Sequence, residues 1–296
     1  MSRAGESRQA SAAGLAAAQR RFTQGLAAAR TLIGRDPRHG LVFHHIPKCA
    51  GSAIALSIRK HYAPWQYRAV PSDATVQTAR FFDACDTASA AESRRLADAH
   101  WVDVHAYRLR LLHTFLTNGA RAVGGHIAYH PGVHEQFQHT HSFVTILRDP
   151  VERFVSQYFY TKHARSYVRL PADFDDDDLE AVGPVWGSMI TFFLGGGSGL
   201  DDAAAGDAVD RWVPEAKRTL ERLPVVGFVD GMDTFRRRLA DTIGVRIDIG
   251  RRNVRPRRDD RDEERWIREV APRFCAPDLE VYAHARAVRA EARAMA

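Results

Sequence analysis

The feature that most constrains the fold of this chain is a strand, a tight loop and a helix within one short segment, residues 41–62. An apolar run, predicted as a strand over 41–46, breaks at Pro47, and residues 51–62 carry apolar side chains at helical spacing. The loop has small side chains, so its backbone N–H groups can approach a phosphate at the helix N-terminus. The predicted phosphate-binding residues are Pro47, Lys48, Cys49, Ala50, Gly51, Ser52 and Ala53.

The order of residues in this loop differs from that of the common ATP-binding loop. Lys48 precedes Gly51, whereas the ATP-binding loop requires G-x-x-x-x-G-K-[ST], and that string occurs nowhere in the chain. The sequence therefore disfavours a Walker ATPase.

A second segment, residues 142–163, also predicts a buried strand followed by a helix. The strand is expected over 142–147, and the helix signal is strong because Asp149 suits the N-cap, Pro150 the first helical position and Glu152 the acid of a capping box. A helix is therefore predicted over residues 150–163.

Three side chains near predicted strand ends are candidates for chemistry. Arg148, a forked and permanently charged donor, lies at the mouth of the second helix, and the Ser156 hydroxyl lies two turns inside it, so both are predicted to bind a phosphate. His126 follows a third predicted strand, 120–125, where its side chain can project into a cleft and accept a proton near neutral pH.

The order of elements predicts an α/β, P-loop-like three-layer fold with a central, mainly parallel sheet flanked by helices. In such sheets ligands bind beyond the carboxyl ends of the strands, where both motifs and His126 fall. A fourth strand is predicted at 225–228, further helices at 209–223, 233–242 and from about 260, a mostly helical insertion near 73–117, and Asp- and Gly-rich loops at 171–187 and 195–207.

The motifs resemble those of a known family. PKCAGSA (47–53) and LRDPVERFVSQYF (147–159) are similar to the 5′-phosphosulfate loop and the 3′-phosphate motif of sulfotransferases that use 3′-phosphoadenosine 5′-phosphosulfate. The likeness is greatest to carbohydrate O-sulfotransferases of the sulfotransferase family 2 type, including the heparan sulfate 2-O-sulfotransferases. GGHIAYH (124–130), GFVDGMDTF (227–235) and APDLEVYAHA (276–285) resemble further family segments.

The resemblance implies transfer of a sulfuryl group from that donor to a hydroxyl of a carbohydrate or glycoconjugate, with no metal required. Lys48 would stabilise the leaving oxygen, His126 would act as the base, and Arg148 with Ser156 would bind the 3′-phosphate. A P-loop-type nucleotide-dependent kinase is the alternative enzyme, disfavoured by the missing Walker lysine and the lack of a clear magnesium carboxylate. A non-catalytic nucleotide- or glycan-binding protein is the other alternative.

The chain departs from the family pattern at the expected acceptor site. Gly124 stands where some glycosaminoglycan 2-O-sulfotransferases carry a second histidine, and Ser188 and Phe192 stand where the family commonly carries Asn and Arg. With Phe193 and Trp186 nearby, this suggests a less anionic, stacked or lipid-bearing acceptor. The alternative is a buried apolar helix turn.

The roles of Cys49 and of a group of three arginines are left open by the sequence. Cys49 lies at a helix N-terminus, which could lower its thiol pKa, although a space-filling role is favoured. Arg255, Arg257 and Arg258 either form a loop that closes on the nucleotide or face solvent.

The sequence does not favour a metal site. His134 and His139 are five apart, whereas an H-E-x-x-H zinc helix needs a spacing of four. Asp173 and the acids at 175–178 read as a solvated loop rather than a calcium site, because no glycine-punctuated calcium loop follows.

The formal charge of +6 and a pI near 9.5 suit an anionic donor or glycan better than nucleic acid, because the basic cluster at 251–258 has no interleaved aromatics. Three cysteines are too few for a disulfide scaffold and predict a reducing compartment, with cytoplasm as the default. No segment has the apolar length of a spanning helix, so no transmembrane span is predicted.

The predicted domain organisation is an Ala-rich basic N-terminal helical extension, residues 1–40, and a single domain, 41–296. The extension either forms a loosely attached helix, which is favoured, makes a peripheral contact with an anionic membrane, or stays unstructured. The oligomeric state does not follow from the sequence.

Overall fold

The structure, a computed structural model, describes residue 25 and residues 39–70, 90–163, 176–199, 208–244, 246–249 and 261–294. The strands are β1 (Gly40–His44), β2 (Tyr67–Ala69), β3 (Ala122–Gly125), β4 (His141–Leu147) and β5 (Val225–Phe228). The helices are α1 (Gly51–Arg59), α2 (Ala90–Thr117), α3 (Pro131–Phe137), α4 (Pro150–His163), α5 (Asp176–Gly187), α6 (Met189–Gly195), α7 (Ala208–Arg222), α8 (Met232–Ile243), α9 (Arg261–Val270) and α10 (Ala276–Ala294).

The five strands form one parallel sheet in the order β2-β3-β1-β4-β5, with the helices packed around it. The predicted α/β fold with a parallel sheet is therefore confirmed. The chain first fills the sheet on the β3 side of β1 and then crosses to β4 and β5 on the other side. Such a reversal opens a crevice at the carboxyl ends of the two strands, here β1 and β4, where ligands of α/β proteins bind.

Two hydrophobic clusters hold these elements in place. The larger one surrounds the sheet and includes the buried side chains of Phe43, Ile54 and Phe143. The smaller one lies under α4, where Phe154 and Tyr158 pack against α5 and α9. Burial of such side chains stabilises the fold by about 1.5–3 kcal/mol each and holds β1 and α4 against their neighbours.

The acidic segment predicted as a loop over 171–187 contains a helix, α5, so that prediction was wrong for residues 176–187. Asp176, Asp177 and Asp178 occupy the first turn, where the positive end of the helix dipole favours carboxylates. Leu179 and Trp186 then bury their side chains in the smaller cluster. Tertiary burial of two apolar side chains therefore outweighs the loop-like composition.

Two short elements had no counterpart in the sequence prediction. β2 is a three-residue edge strand whose partly exposed side chains give a weak pattern. α3 begins at Pro131, and the His130 ring accepts a hydrogen bond from the backbone N–H of Val133 as its N-cap. The helical insertion expected near 73–117 is present as α2 over Ala90–Thr117.

Several predictions concern residues outside the described ranges. These are the N-terminal extension apart from residues 25, 39 and 40, the first part of the insertion, residues 200–207, and Asp173, Cys85, Arg255, Arg257 and Arg258. The division into an extension and a single domain stays a prediction.

Candidate active site

The loop after β1 has an unusual backbone. Lys48 and Ala50 have φ values of 66° and 59°, the two positive values among the described residues other than glycine. Each costs about 1–3 kcal/mol, and such strain persists where the surrounding structure enforces it, most often at active sites and ligand-binding loops. Ala50 is the N-cap of α1, and no side chain caps that helix end. The loop thus offers a helix N-terminus and turn N–H groups, the features of an anion-binding concavity.

The structure gives a steric reason for glycine at position 51 that the sequence did not reveal. A Cβ atom at this position would overlap the His45 ring, so the imidazole occupies the space that a side chain would need. The small residue therefore admits the histidine as well as leaving the helix N-terminus accessible.

Cys49 links the two motifs but is not a reactive thiol. Its side chain is buried and receives a hydrogen bond from the backbone of Arg148, which ties the loop after β1 to the loop after β4. Burial raises the pKa of the Cys49 thiol to about 11, and the opposing effect of Arg153 and of that bond is smaller. The helix N-terminus could have lowered the thiol pKa, but desolvation outweighs the helix dipole, and the buried side chain is in keeping with the favoured space-filling role.

Lys48 lies in a cationic environment. Burial, followed by the charges of Arg148 and Arg153, lowers its pKa to about 8. Its Nζ atom lies 3.4 Å from the centroid of the partly exposed Tyr160 ring, a cation–π contact. A dense set of positive charge beside a helix N-terminus is suited to a polyanionic ligand.

Arg148 and Ser156 lie along the start of α4. Asp149 accepts a hydrogen bond from the backbone N–H of Glu152 at 3.1 Å and so caps the helix, as predicted. The Arg148 guanidinium is 3.7 Å from the Glu152 carboxylate, with both side chains partly exposed. An exposed pair at that distance contributes little free energy, so a phosphate can compete for Arg148. Ser156 is partly buried on the same helix.

His126 follows β3 and is held by the adjoining strand end. Its Nδ1 atom lies 2.8 Å from the His45 carbonyl oxygen. Because a carbonyl can only accept, Nδ1 carries the proton, and in the neutral ring Nε2 is the basic nitrogen. The ring stacks on the His45 ring, with centroids 4.2 Å apart, and meets the edge of Phe193 at 6.2 Å.

The aromatic segment expected to contact the acceptor is buried. Phe192 and Phe193 are 4% and 1% exposed, Trp186 is 8% exposed, and every residue of α6 is buried. The expectation of an acceptor stacked on these rings was wrong, because the rings are buried and pack against His105, Trp212 and Phe154. The alternative, a buried apolar helix turn, describes the segment.

Gly124, which stands at the position of the second histidine, lies close to edge strand β2. A Cβ at Gly124 would lie 3.2 Å from the Tyr67 hydroxyl, and a Cβ at Gly125 would lie 2.7 Å from the Val70 carbonyl oxygen. A side chain at Gly125 would therefore overlap Val70, whereas one at Gly124 would require the Tyr67 hydroxyl to shift.

A buried ion pair lies beneath the site. Arg153 on α4 and Asp278 on α10 are fully buried, with Nε and Oδ2 3.7 Å apart. The Asp278 carboxylate also accepts hydrogen bonds from the backbone N–H groups of Ile190 and Thr191 at 2.9 and 2.8 Å, in the first turn of α6. The pair thus joins three helices, one of which contacts His126 through Phe193.

The structure therefore brings Lys48, Cys49, Arg148 and His126 together at the carboxyl edge of β3, β1 and β4. Sequence reasoning missed His45 and Tyr160. Tyr160 is four residues after Ser156 and so lies on the same helix face, and His45 is one of two successive histidines at a strand end. Both patterns could have drawn attention to them.

The described residues contain no group of three metal-ligating side chains. His134 Nδ1 is 3.0 Å from the Tyr129 hydroxyl, and His130 caps α3, so both histidines have structural contacts. In the same described ranges, no helix combines the length and apolarity needed to cross a bilayer.

Comparison with known proteins gives one family match, over part of the chain. Residues 33–171, a little under half of the chain, match the model of the sulfotransferase family, and this range includes the loop after β1, His126 and α4. No curated protein gives a significant match to the chain. The resemblances beyond residue 171 stay predictions. The chain is therefore similar to the sulfotransferase family through residues 33–171, and this similarity supports sulfuryl transfer to an acceptor in general.

Proposed function

We propose that the protein transfers a sulfuryl group from 3′-phosphoadenosine 5′-phosphosulfate to a hydroxyl group of a carbohydrate or glycoconjugate. The observation that carries this proposal is the convergence of two cationic elements, the Lys48 loop and Arg148, on one crevice, with a correctly protonated histidine at its side. A donor with phosphates at two positions requires two such anion sites.

The loop after β1 fits the phosphosulfate end of the donor. The N-terminus of α1 has no side-chain cap, so its N–H groups can bind anionic oxygens. Lys48 is the cation nearest to this helix end in sequence and supplies positive charge where the departing oxygen becomes anionic. Pro47, Cys49, Ala50, Gly51, Ser52 and Ala53 complete the proposed loop.

Arg148 and Ser156 would bind the 3′-phosphate. The Arg148 guanidinium can exchange its long contact with Glu152 for a bidentate phosphate contact, and the Ser156 hydroxyl adds a donor from the same helix. Glu152 keeps a partner after this exchange, because Arg268 donates to its other oxygen at 2.8 Å.

His126 is the proposed base. The acceptor oxygen forms its bond to sulfur as the bond from sulfur to the bridging phosphate oxygen breaks, so the hydroxyl proton must leave. His126 Nε2 takes that proton, since Nδ1 is engaged by the His45 carbonyl. The charge that remains on the bridging oxygen is offset by Lys48. His126 thus removes the proton of the acceptor hydroxyl, and Lys48 stabilises the negative charge on the leaving oxygen.

Replacing Arg148 by alanine is expected to weaken binding of 3′-phosphoadenosine 5′-phosphate about 10- to 100-fold, because one charged hydrogen-bond donor is worth about 1.5–3 kcal/mol. Calorimetric titration without metal measures this effect. Arg218→Ala, which removes the same charge from an exposed residue on α7, is the matched control and should bind as the wild type does. Preference of the wild type for magnesium ATP would instead support the kinase.

Replacing His126 by alanine is expected to lower kcat about 10²- to 10⁴-fold, the contribution of a general base, with donor affinity within about threefold of wild type. Transfer of radiolabelled sulfate to acceptor glycans, followed at saturating donor, measures the rate. The control is His139→Ala, an exposed histidine in the turn before β4. Equal turnover by both variants would remove His126 from the mechanism, and donor binding without turnover in the wild type would favour a non-catalytic binding protein.

The acceptor class rests on the resemblance of the motifs to carbohydrate O-sulfotransferases, and the excess of positive charge is consistent with an anionic glycan.

We also propose a cytoplasmic location. The two described cysteines, Cys49 and Cys275, are buried thiols rather than a disulfide, which is consistent with a reducing compartment. The basic N-terminal extension is proposed to contact anionic membranes peripherally.

A further inference from the structure

The backbone and the ring of His45 both contact His126. The carbonyl oxygen accepts from His126 Nδ1, and the ring lies almost parallel to the His126 ring, at 28° and 4.2 Å between centroids. The carbonyl sets the tautomer of His126, and the stack limits rotation of its ring.

The His45 ring is itself fixed on its other sides. Phe43, a β1 residue two positions earlier in the chain, stacks on it at 5.8 Å and 8°. Gly51 leaves room for the ring at the start of α1, where a Cβ would overlap it. His45 therefore lies between the strand, the proposed donor loop and the proposed base.

The charge of His45 is compatible with this position. Burial, followed by the charges of His126 and Lys48, holds the pKa of His45 well below its usual value, so the ring is neutral at neutral pH. A neutral neighbour leaves His126 able to take up a proton, whereas a second imidazolium at this distance would oppose it.

We infer that His45 is a positioning residue, which orients His126 by ring stacking and ties the base to the donor loop through its packing against Gly51. A base that is misplaced by about 1 Å can lose about 10²-fold in rate without any change in its own chemistry. The inference rests on the proposed function of His126 as the base.

The first test compares His45→Ala with His45→Phe. His45→Ala removes the stack and is expected to lower kcat about 10- to 100-fold, with the affinity for 3′-phosphoadenosine 5′-phosphate changed less than about threefold. His45→Phe keeps an aromatic ring of similar size and is expected to recover kcat to within about fivefold of wild type. A purely structural role would lower Tm and leave kcat per folded molecule unchanged.

The outcomes separate this inference from the proposed function. Wild-type kcat in His45→Ala, or equal losses in His45→Ala and His45→Phe, would overturn the positioning role. If His126→Ala keeps its turnover, the proposed function of His126 as the base is wrong, and any effect of the His45 variants must then have another cause.

A double-mutant cycle tests the contact with the donor loop. Gly51→Ala in the wild-type background is expected to lower both Tm and donor affinity, because the new methyl group and the His45 ring cannot share one space and the backbone of the donor loop must shift. In the His45→Ala background the same change should cost much less, since the space is vacant. Gly231→Ala, where the nearest atom to a new Cβ is 3.9 Å away, is the control. Additive losses would overturn the proposed link.

Discussion

Replacing Lys48 by methionine is expected to lower kcat about 10²- to 10³-fold, the usual effect of removing one preorganised charge from a developing anion. Methionine keeps the length of the side chain and the burial of its stem but removes the charge. The backbone strain is nearly unchanged, because lysine and methionine are both unbranched at Cβ and are similarly disfavoured at φ 66°. Most of the fall in kcat therefore measures the contribution of the Lys48 ammonium group. Steady-state kinetics at saturating donor measure it.

The pH dependence of the rate provides a second, independent measure of Lys48. Because burial and the neighbouring arginines lower the Lys48 pKa to about 8, the ammonium form is lost as pH rises through that value, and kcat/KM should fall on the alkaline side. Bound phosphates stabilise the ammonium, so the corresponding fall in kcat should lie at higher pH. Lys48→Arg keeps its charge at these pH values and should abolish the alkaline limb.

The matched control is Lys60→Met, which removes an exposed lysine just beyond the C-terminus of α1. It changes the net charge by the same amount on the same helix and should leave the rate unchanged. Turnover of Lys48→Met within threefold of the control would exclude Lys48 as the cation at the leaving oxygen.

Local sequence signals were sufficient for the elements that carry the proposed site. The Asp149-Pro150 start of α4, the buried run of β4 and the small-residue loop after β1 are each specified by neighbouring residues, and the structure contains all three. The parallel sheet follows from the alternation of strands and helices. These features were predictable because capping, periodicity and turn chemistry act over a few residues.

The rest depends on contacts between distant parts of the chain. The left-handed conformation of Lys48 runs against its intrinsic preference, and only the surrounding structure selects it. The overlap of Gly51 with the His45 ring, and the burial that raises the Cys49 pKa, need the packed structure. The prediction that Phe192 and Phe193 form a stacking surface for the acceptor was wrong because it also depended on distant contacts. The sequence of an apolar segment does not reveal whether the core covers its side chains.

Replacing Asp278 by asparagine is expected to destabilise the fold by about 3–5 kcal/mol, because it leaves Arg153 as an uncompensated charge in the core. Within the described residues, none of the three side-chain nitrogens of Arg153 has a hydrogen-bond partner, so the carboxylate is its main compensation. Asparagine also has one acceptor oxygen for the two N–H groups of Ile190 and Thr191. Urea unfolding at pH 7 measures the loss.

The double variant Arg153→Met/Asp278→Asn removes both charges and is the matched comparison. It should be more stable than Asp278→Asn alone, because a buried pair replaced by neutral side chains costs less than a pair that is broken. If the double variant is as unstable as the sum of the two single variants, the lost helix cap dominates and the ion pair contributes little.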